Sequence, residues 1–286
     1  MIYQKIKSTL IEELKDKKLT DAHRHSLYDI DKVANMMGLS VEEWSKYDKF
    51  IQYQRKTKKL YGAKLQNEIK DWIKFSKKEN ISTIIDFSAK HASLDLKNIY
   101  KSYNIKNFYM LKWNKIETIN QVNIPDFVIL PDERLLNKDI LNKIKQIGAT
   151  YPQIKFTMHC LESKERKNIA LKKFGISSIE WLNKNNFLTE KLFLVHINEV
   201  SLYDIELIRK NNVKVILCPL MRKPLNYNEP NIPLDLDIYF GTDAPLISNN
   251  RSLIENAIYQ VVLWLDNGNN FEDIIKTTVK ALTKNI

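Results

Sequence analysis

Two histidines separated by one residue close a short predicted strand near the start of the chain, in the stretch Asp21-Ala22-His23-Arg24-His25. Alternate side chains of a strand point the same way, so His23 and His25 can face one point in space. Two imidazoles that converge in this way are typical ligands of a divalent metal ion. Two polar residues leaving a strand would give the same spacing, so the pair indicates a metal site only if other ligands meet it.

Later predicted strands end in the same kind of residue. His159 closes one strand, His196 closes the next, and Asp243 follows the last strand within Gly241-Thr242-Asp243. The chain has 5 histidines, and four of them therefore lie at strand ends, whereas scattered surface histidines would fall mostly in helices and loops. The fifth, His91, follows the second predicted strand and is a candidate substrate contact or an ordinary loop residue.

The elements that must position these residues alternate β-like runs with helical segments, as in βα units with a parallel sheet. Eight strands are predicted: Leu19 to His23, Ile81 to Phe87, Asn107 to Lys112, Pro125 to Leu130, Ile154 to His159, Leu192 to His196, Val213 to Cys218 and Leu236 to Phe240. Eight parallel strands with intervening helices predict an α/β fold, the (β/α)8 TIM-type barrel. Its active sites lie at the C-terminal ends of the strands.

The chain of 286 residues is predicted to form one domain over 1–286, because barrels of this type often run to about 250 residues as one unit. Residues 1–17 carry Ile6, Leu10 and Leu14 at helical spacing, which predicts an N-terminal amphipathic helix. Residues 26–80 are rich in helical patterns and are predicted to form a helical excursion over the site.

Composition indicates a globular protein, since 44% of the residues are hydrophobic and 28% are charged. The net charge is +11, but the lysines are scattered and no nucleic-acid motif is visible, which favours a solvated basic surface. We find no apolar run of membrane-spanning length and no signal-peptide core. Cys160 and Cys218 lie in apolar contexts that suit reduced, buried thiols in a cytoplasmic protein, although a disulfide is an alternative.

Further motifs accompany these strand ends. The full set is Asp21-Ala22-His23-Arg24-His25, Phe156-Thr157-Met158-His159-Cys160-Leu161-Glu162, Leu194-Val195-His196 followed by Ser201, Cys218-Pro219-Leu220, and Gly241-Thr242-Asp243 followed by Ser248-Asn249-Asn250-Arg251-Ser252-Leu253. In this order and at these intervals the motifs resemble the amidohydrolase superfamily. Within it they are most similar to the branch of the chlorohydrolases, guanine deaminase and the adenosine-type deaminases, from about Asp21 to Ala281.

The resemblance implies four ligands for one divalent metal ion, zinc or alternatively iron: His23, His25, His159 and Asp243. It also implies that His196 contacts the water activated by the metal or the developing oxyanion, and that Glu162 is the proton shuttle. Such a metal lowers the pKa of water to about 7, and Asp243 can take the proton that is released. A carboxylate that simply starts a helix is the alternative interpretation of Glu162. No lysine ends the fourth predicted strand, where dinuclear members carry a bridging one, and this favours a single metal.

Two segments depart from the family pattern where such enzymes hold their substrates. Relatives commonly carry a Ser-Asn pair where this chain has Met221-Arg222. They also tend to carry a histidine near the end of the fourth strand, where this chain has Pro131-Asp132-Glu133-Arg134. Substrate identity therefore cannot be carried over. Arg222 and Arg134 could clamp a carboxylate or phosphate, or each could pair with a neighbouring acid.

The family's small β-sandwich subdomain is expected to be missing, with its place taken by the N-terminal helix or by a second subunit of a homo-oligomer. The sequence thus predicts a mononuclear metal-dependent amidohydrolase, a deaminase that replaces an exocyclic amine of a purine-like or other nitrogen heterocycle with oxygen. Hydrolysis of a cyclic amide, or of another C–N or C–halide bond on a ring, is the alternative reaction. A barrel that binds metal and ligand without turnover is a further alternative. The expected partner is a small-molecule substrate, with neither nucleic acid nor a membrane.

Overall fold

The computed structural model describes residues 2–27, 43, 46, 52, 55–88, 92–244 and 252–286. His91 and much of the predicted excursion at 26–80 lie outside this part of the chain. The chain divides into two compact units. The first unit consists of Met1–Asn107, Cys218–Leu234 and Tyr239–Ile286, and the second unit consists of Phe108–Leu217 and Asp235–Ile238.

Helices and strands alternate along the chain as the sequence predicts. The strands are β1 (Leu19–Arg24), β2 (Ile81–Asp86), β3 (Lys106–Asn107), β4 (Met110–Lys112), β5 (Phe127–Ile129), β6 (Lys155–Cys160), β7 (Leu192–His196), β8 (Lys214–Leu217) and β9 (Asp237–Phe240). The α-helices are α1 (Ile2–Leu14), α2 (Gly62–Lys78), α3 (Ser93–Ser102), α4 (Lys138–Thr150), α5 (Lys164–Phe174), α6 (Ser178–Lys184), α7 (Leu202–Lys210), α8 (Leu253–Asp266) and α9 (Phe271–Thr283). Short 3-10 helices cover Trp113–Thr118 and Pro219–Met221.

The first unit is built on the sheet β1-β2-β3, in which neighbouring strands are parallel. The helix α1 packs against α8 and α9 and confirms the predicted N-terminal helix. Its Ile6, Leu10 and Leu14 are buried, because the helical spacing places all three on one face. On the exposed side, Lys7 Nζ lies 2.6 Å from a Glu255 carboxylate oxygen on α8.

The second unit is built on parallel strands in the order β4-β5-β6-β7-β8, and β9 extends this order. The strand β9 begins in the second unit and ends in the first. Aromatic rings fill the core, since Phe127 packs edge-on against Phe108 and against Phe193, each with ring centroids 5.3 Å apart. The main-chain pairing of β6 with β7 places His159 opposite Val195, close to the ends of both strands.

The predicted third strand, Asn107 to Lys112, is wrong in one respect, because it is two shorter strands, β3 and β4. The main chain between β3 and β4 forms hydrogen bonds that do not belong to a regular β-ladder. Asp126 Oδ2 accepts a hydrogen bond from the Tyr109 amide at 2.7 Å, and the Tyr109 carbonyl accepts one from the Asp126 amide at 2.9 Å. A side-chain acceptor thus replaces a main-chain one, and the strand is interrupted.

Among the described residues, no helix is long and apolar enough to cross a membrane. These residues also form no β-sandwich beside the two sheets. Cys160 and Cys218 are both buried, as predicted, and they form no disulfide with each other.

Candidate active site

Two histidines and one carboxylate meet in the first unit where β1 ends. The Nε2 atoms of His23 and His25 each lie 3.5 Å from the same oxygen, Oδ1 of Asp243. The two imidazole rings have centroids 4.8 Å apart and stand nearly perpendicular, at 85°. All three residues are buried. The structure therefore brings together three of the four predicted metal ligands within one unit.

The spacing of these three atoms fits a metal ion better than direct hydrogen bonds. A nitrogen–oxygen hydrogen bond spans about 2.7–3.2 Å, which is shorter than either of these contacts. Zinc binds histidine nitrogen and carboxylate oxygen at about 2.0–2.2 Å, so two ligands in a tetrahedral arrangement are about 3.4 Å apart. The observed 3.5 Å matches that separation for both histidines. The donor set of His23, His25 and Asp243 thus fits a divalent metal ion.

The close approach of two backbone segments creates this geometry. The Asp243 amide donates to the His23 carbonyl at 2.8 Å, and the His25 amide donates to the Asp243 carbonyl at 3.0 Å. A Cβ atom on Gly241 would lie 2.7 Å from both the Cβ and the carbonyl oxygen of His23, so only glycine permits this contact. Phe87 covers the other side of His23, with ring centroids 4.2 Å apart.

A second cluster lies in the second unit, where β6 and β7 end. The rings of His159 and His196 have centroids 5.3 Å apart, and His196 Nε2 lies 3.8 Å from Glu162 Oε1. Glu162 precedes Ser163, whose hydroxyl accepts the Arg166 amide and caps α5. The carboxylate of Glu162 thus stands in the turn before the helix, next to a histidine.

The backbone of this second cluster is strained. His196 and Ile197 have φ angles of 77° and 47°, a left-handed region that a β-branched residue rarely adopts. Hydrogen bonds to the end of β6 hold the turn. The Ile197 amide donates to the Cys160 carbonyl and the Asn198 side chain donates to the Glu162 carbonyl, each at 3.0 Å. Strain of this kind persists only where the surroundings enforce it, and it concentrates at functional sites.

A buried carboxylate that sequence reasoning gave no role supports the same turn. Glu133 is fully buried and accepts hydrogen bonds from the Leu161 amide at 2.7 Å and from the Ser178 hydroxyl at 3.0 Å. Burial raises the pKa of Glu133, and these hydrogen bonds oppose that rise. Glu133 thereby fixes the residue that precedes Glu162. Local sequence gave no signal, since its partners lie 28 and 45 positions away.

The candidate substrate residues are engaged with protein groups. Arg222 is only 1% exposed, its Nη1 donates to Gln260 Oε1 at 2.9 Å, and burial lowers its pKa to about 10. Arg134 is partly exposed and forms a bidentate pair with Asp132, at 3.1 and 2.8 Å. Arg134 therefore pairs with a neighbouring acid, which was the alternative left open for it. His91 lies outside the described residues.

Three further residues of the motifs, Asp21, Arg24 and Thr242, are completely buried beside the first cluster. Sequence reasoning assigned them no role. The available signal was the presence of opposite charges on either side of His23, because charges inside a protein are almost always paired.

Comparison with known proteins finds similarity to nucleoside and base deaminases. No family model matches it. It is 28% identical over 102 residues to a 5-methylthioadenosine/S-adenosylhomocysteine deaminase of Pyrococcus horikoshii, a match that spans 34% of this chain and 24% of that protein. An adenosine deaminase of Xanthomonas campestris with bound zinc is similar with a TM-score of 0.70 at 12% identity, over 93% of this chain and 64% of that one. A guanine deaminase of C. acetobutylicum with bound guanine is similar with a TM-score of 0.70 at 16% identity, over 94% of this chain and 74% of that one.

The structural likenesses confirm the predicted fold class, an α/β barrel of the (β/α)8 type. The partial sequence match to a deaminase agrees with the resemblance that the motifs indicate. The chain spans about a quarter of the Pyrococcus relative and about two thirds of the Xanthomonas structure.

Proposed function

We propose that this chain is a mononuclear metal-dependent hydrolase, and that it deaminates an amino-substituted nitrogen heterocycle of the purine type. The observation that carries the proposal is the approach of His23 and His25 to one oxygen of Asp243, at 3.5 Å each, in a chain with the fold of known deaminases. The proposed ligands of one zinc or iron ion are His23, His25, His159 and Asp243. His159 would join the set from the second cluster.

A divalent metal ion held by these residues would supply Lewis acidity, which lowers the pKa of a water molecule from 15.7 to about 7 and provides a nucleophile at neutral pH. Asp243 would accept one proton of the attacking water as the oxygen adds to the ring carbon, while Glu162 would protonate the ring nitrogen beside that carbon. Asp243 would then pass its proton to the exocyclic amine, which leaves as ammonia when its bond to carbon breaks, and the remaining hydroxyl proton would return to Glu162. His196 donates a hydrogen bond to the oxygen on which negative charge develops.

The pairing of Glu162 with His196 supports these roles. Their side-chain atoms lie 3.8 Å apart, and both residues are buried. A general acid must be near the atom that it protonates, and seclusion from bulk water strengthens its interaction with charge in the transition state. The strained turn at His196 fixes the backbone from which the imidazole projects.

Substrate recognition by Arg222, Arg134 and His91 is part of the proposal. The burial of Arg222 favours a role in shaping the wall of a site, whereas Arg134 would contact an anionic group only by giving up its pair with Asp132. A small-molecule substrate is consistent with the deaminase relatives. We also propose a cytoplasmic location, which the two buried free thiols support.

The proposal is tested by metal analysis combined with a turnover assay. The wild-type protein should contain about one zinc or iron per chain, and His23→Ala should lose it. His91→Ala is the matched control, since it removes a histidine outside the proposed ligand set and should keep the metal. Ammonia release should be measured across aminopurines, nucleosides and pterins.

Three outcomes separate the hypotheses. Ammonia release from any member of the panel, dependent on the metal, supports the deaminase. Bound metal without turnover on these compounds or on ring amides and halides favours a binding protein. A wild-type protein of full stability that holds no metal after incubation with zinc would overturn the metal site itself.

A further inference from the structure

An arginine between the two candidate metal ligands is completely buried. Arg24 Nε donates to Asp21 Oδ2 at 2.8 Å, and its Nη2 lies 2.7 Å from the same oxygen. Its Nη1 donates to the Ser76 hydroxyl of α2 at 2.6 Å, and the guanidinium lies over the Trp72 ring, 4.7 Å from its centroid. Burial disfavours the charge, but the attractions of Asp21, Tyr100 and Asp86, together with the hydrogen bond to Asp21, outweigh it, and the pKa of Arg24 lies above its ordinary value.

The carboxylate of Asp21 joins β1 to the segment that follows β9. Its Oδ1 accepts the Thr242 amide at 3.0 Å, and its Oδ2 accepts the Thr242 hydroxyl at 2.7 Å. Arg24 Nε also reaches the Thr242 hydroxyl at 3.4 Å. Asp21, Arg24 and Thr242, which we call the Asp21 network, therefore fix the residue immediately before Asp243.

Asp243 needs such external support. Its φ angle of 55° is left-handed, a conformation that costs an L-residue energy unless neighbouring contacts enforce it. Its amide and carbonyl bond to His23 and His25, and its Oδ1 faces both imidazoles. A change in the placement of Thr242 would therefore be transmitted directly to the carboxylate of Asp243.

We propose that Asp21, Arg24 and Thr242 are positioning residues, which hold Asp243 against the His23–His25 pair and thereby set the affinity of the site for a divalent metal ion. This inference rests on the proposed function. Groups that orient metal ligands without touching the metal commonly change affinity about 10–100-fold when they are removed. A buried ion pair that only stabilised the fold would change stability and leave the affinity alone.

The first test compares two substitutions of one residue in the full chain. Thr242→Val removes the hydroxyl that bonds to Asp21 while keeping the shape, and Thr242→Ser keeps the hydroxyl. Zinc affinity, measured by competition with a chromogenic chelator, should fall about tenfold or more in the valine variant and stay within about threefold of wild type in the serine variant. Equal affinities in the two variants would overturn the inference.

A second variant covers the case in which Thr242→Val does not fold. Asp21→Asn combined with Arg24→Gln removes both buried charges together, so that neither is left without its counter-charge. Arg209→Gln, which breaks the exposed pair with Asp235, is the control for the loss of an ion pair elsewhere. Weaker zinc binding in the folded double variant, with unchanged binding in the control, supports the inference. Wild-type affinity in the double variant contradicts it.

Hydrogen exchange distinguishes failure of this inference from failure of the proposed function. If the wild-type protein binds no metal, the metal site is wrong, and the Asp21 network is then judged from the metal-free chain. The amides of His25 and Asp243 should exchange at least about tenfold faster in Thr242→Val than in Thr242→Ser, because the bonds between the two segments open more often. Equal exchange rates would show that the network does not position Asp243.

Discussion

Asp243 is tied to His23 through both its backbone and its side chain. The Asp243 amide donates to the His23 carbonyl at 2.8 Å, and the Asp243 Oδ1 lies 3.5 Å from the His23 Nε2. The first contact is a regular main-chain hydrogen bond, and it brings the two side chains close enough for the second. The geometry of the candidate metal ligands therefore depends on the backbone where the segment after β9 meets β1.

Substitution of Gly241 should disturb the geometry of His23 and Asp243. In Gly241→Ala, the new Cβ would lie 2.7 Å from backbone and side-chain atoms of His23, so the two segments must separate. We expect a loss of about 1–3 kcal/mol in the free energy of unfolding, together with loss of zinc binding. Urea denaturation and metal analysis measure the two effects.

The control for this substitution is Gly175→Ala. Gly175 has a φ of +73°, and a Cβ added to it would have no neighbouring atom within 4 Å, so alanine there is strained without meeting another residue. It should lower stability by about 1–2 kcal/mol while zinc binding is retained. Loss of zinc in both variants would indicate general instability and would count against the geometric explanation.

Removal of the Glu162 carboxylate should affect the rate and leave the metal in place. A positioned proton donor contributes about 10²–10⁴-fold to the rate, so Glu162→Gln should lower kcat by about that factor with unchanged zinc content. Glu165→Gln, an exposed residue in the first turn of α5, is the matched control and should keep full activity. Unchanged turnover in Glu162→Gln would remove the proton-shuttle role.

Zinc should stabilise the native chain in proportion to its affinity. A ligand that binds only the native state adds about 2.7 kcal/mol to the free energy of unfolding at a concentration 100 times its Kd. Denaturation with zinc and with a chelator should differ by about this amount in the wild type, and by much less in His159→Ala. A full zinc effect in His159→Ala would exclude His159 from the ligand set.

The carboxylate of Asp132 should confer stability that is sensitive to acid. Burial opposes its ionisation, but hydrogen bonding to Arg134 and attraction to Arg166 lower its pKa from 3.8 to about 2. Because the pKa is lower in the folded state, the stabilisation is present above about pH 3.8 and is lost as the pH falls toward 2. The difference in unfolding free energy between wild type and Asp132→Asn should be constant near neutral pH and shrink below pH 4. A difference that grows with acidity would refute this explanation.

The sequence was sufficient to predict the strand ends and the fold class. His23, His159 and His196 were recognisable because apolar runs of strand length lead into them, and such periodicity is a local property. The division of the third strand was not predictable, because it depends on Asp126, which lies 17 positions from the Tyr109 amide that it accepts.

The residues that support the site were not predictable either, because they also depend on contacts between distant parts of the sequence. Sequence reasoning gave Arg24 no role, and its burial follows only from partners such as Ser76 and Trp72, about 50 positions along the chain. Glu133 also received no role, because its partners Leu161 and Ser178 lie 28 and 45 positions away. Local patterns can identify which groups could react, but the contacts that orient them come from the folded chain.

The strained turn at His196 has a consequence for the order of folding. Ile197, at a φ of 47°, cannot hold this conformation through its own preferences, and its amide bonds to the Cys160 carbonyl at the end of β6. That bond continues the pairing of β6 with β7. The backbone conformation at His196 therefore depends on contacts between residues that are distant in sequence, and such contacts tend to form after local ones.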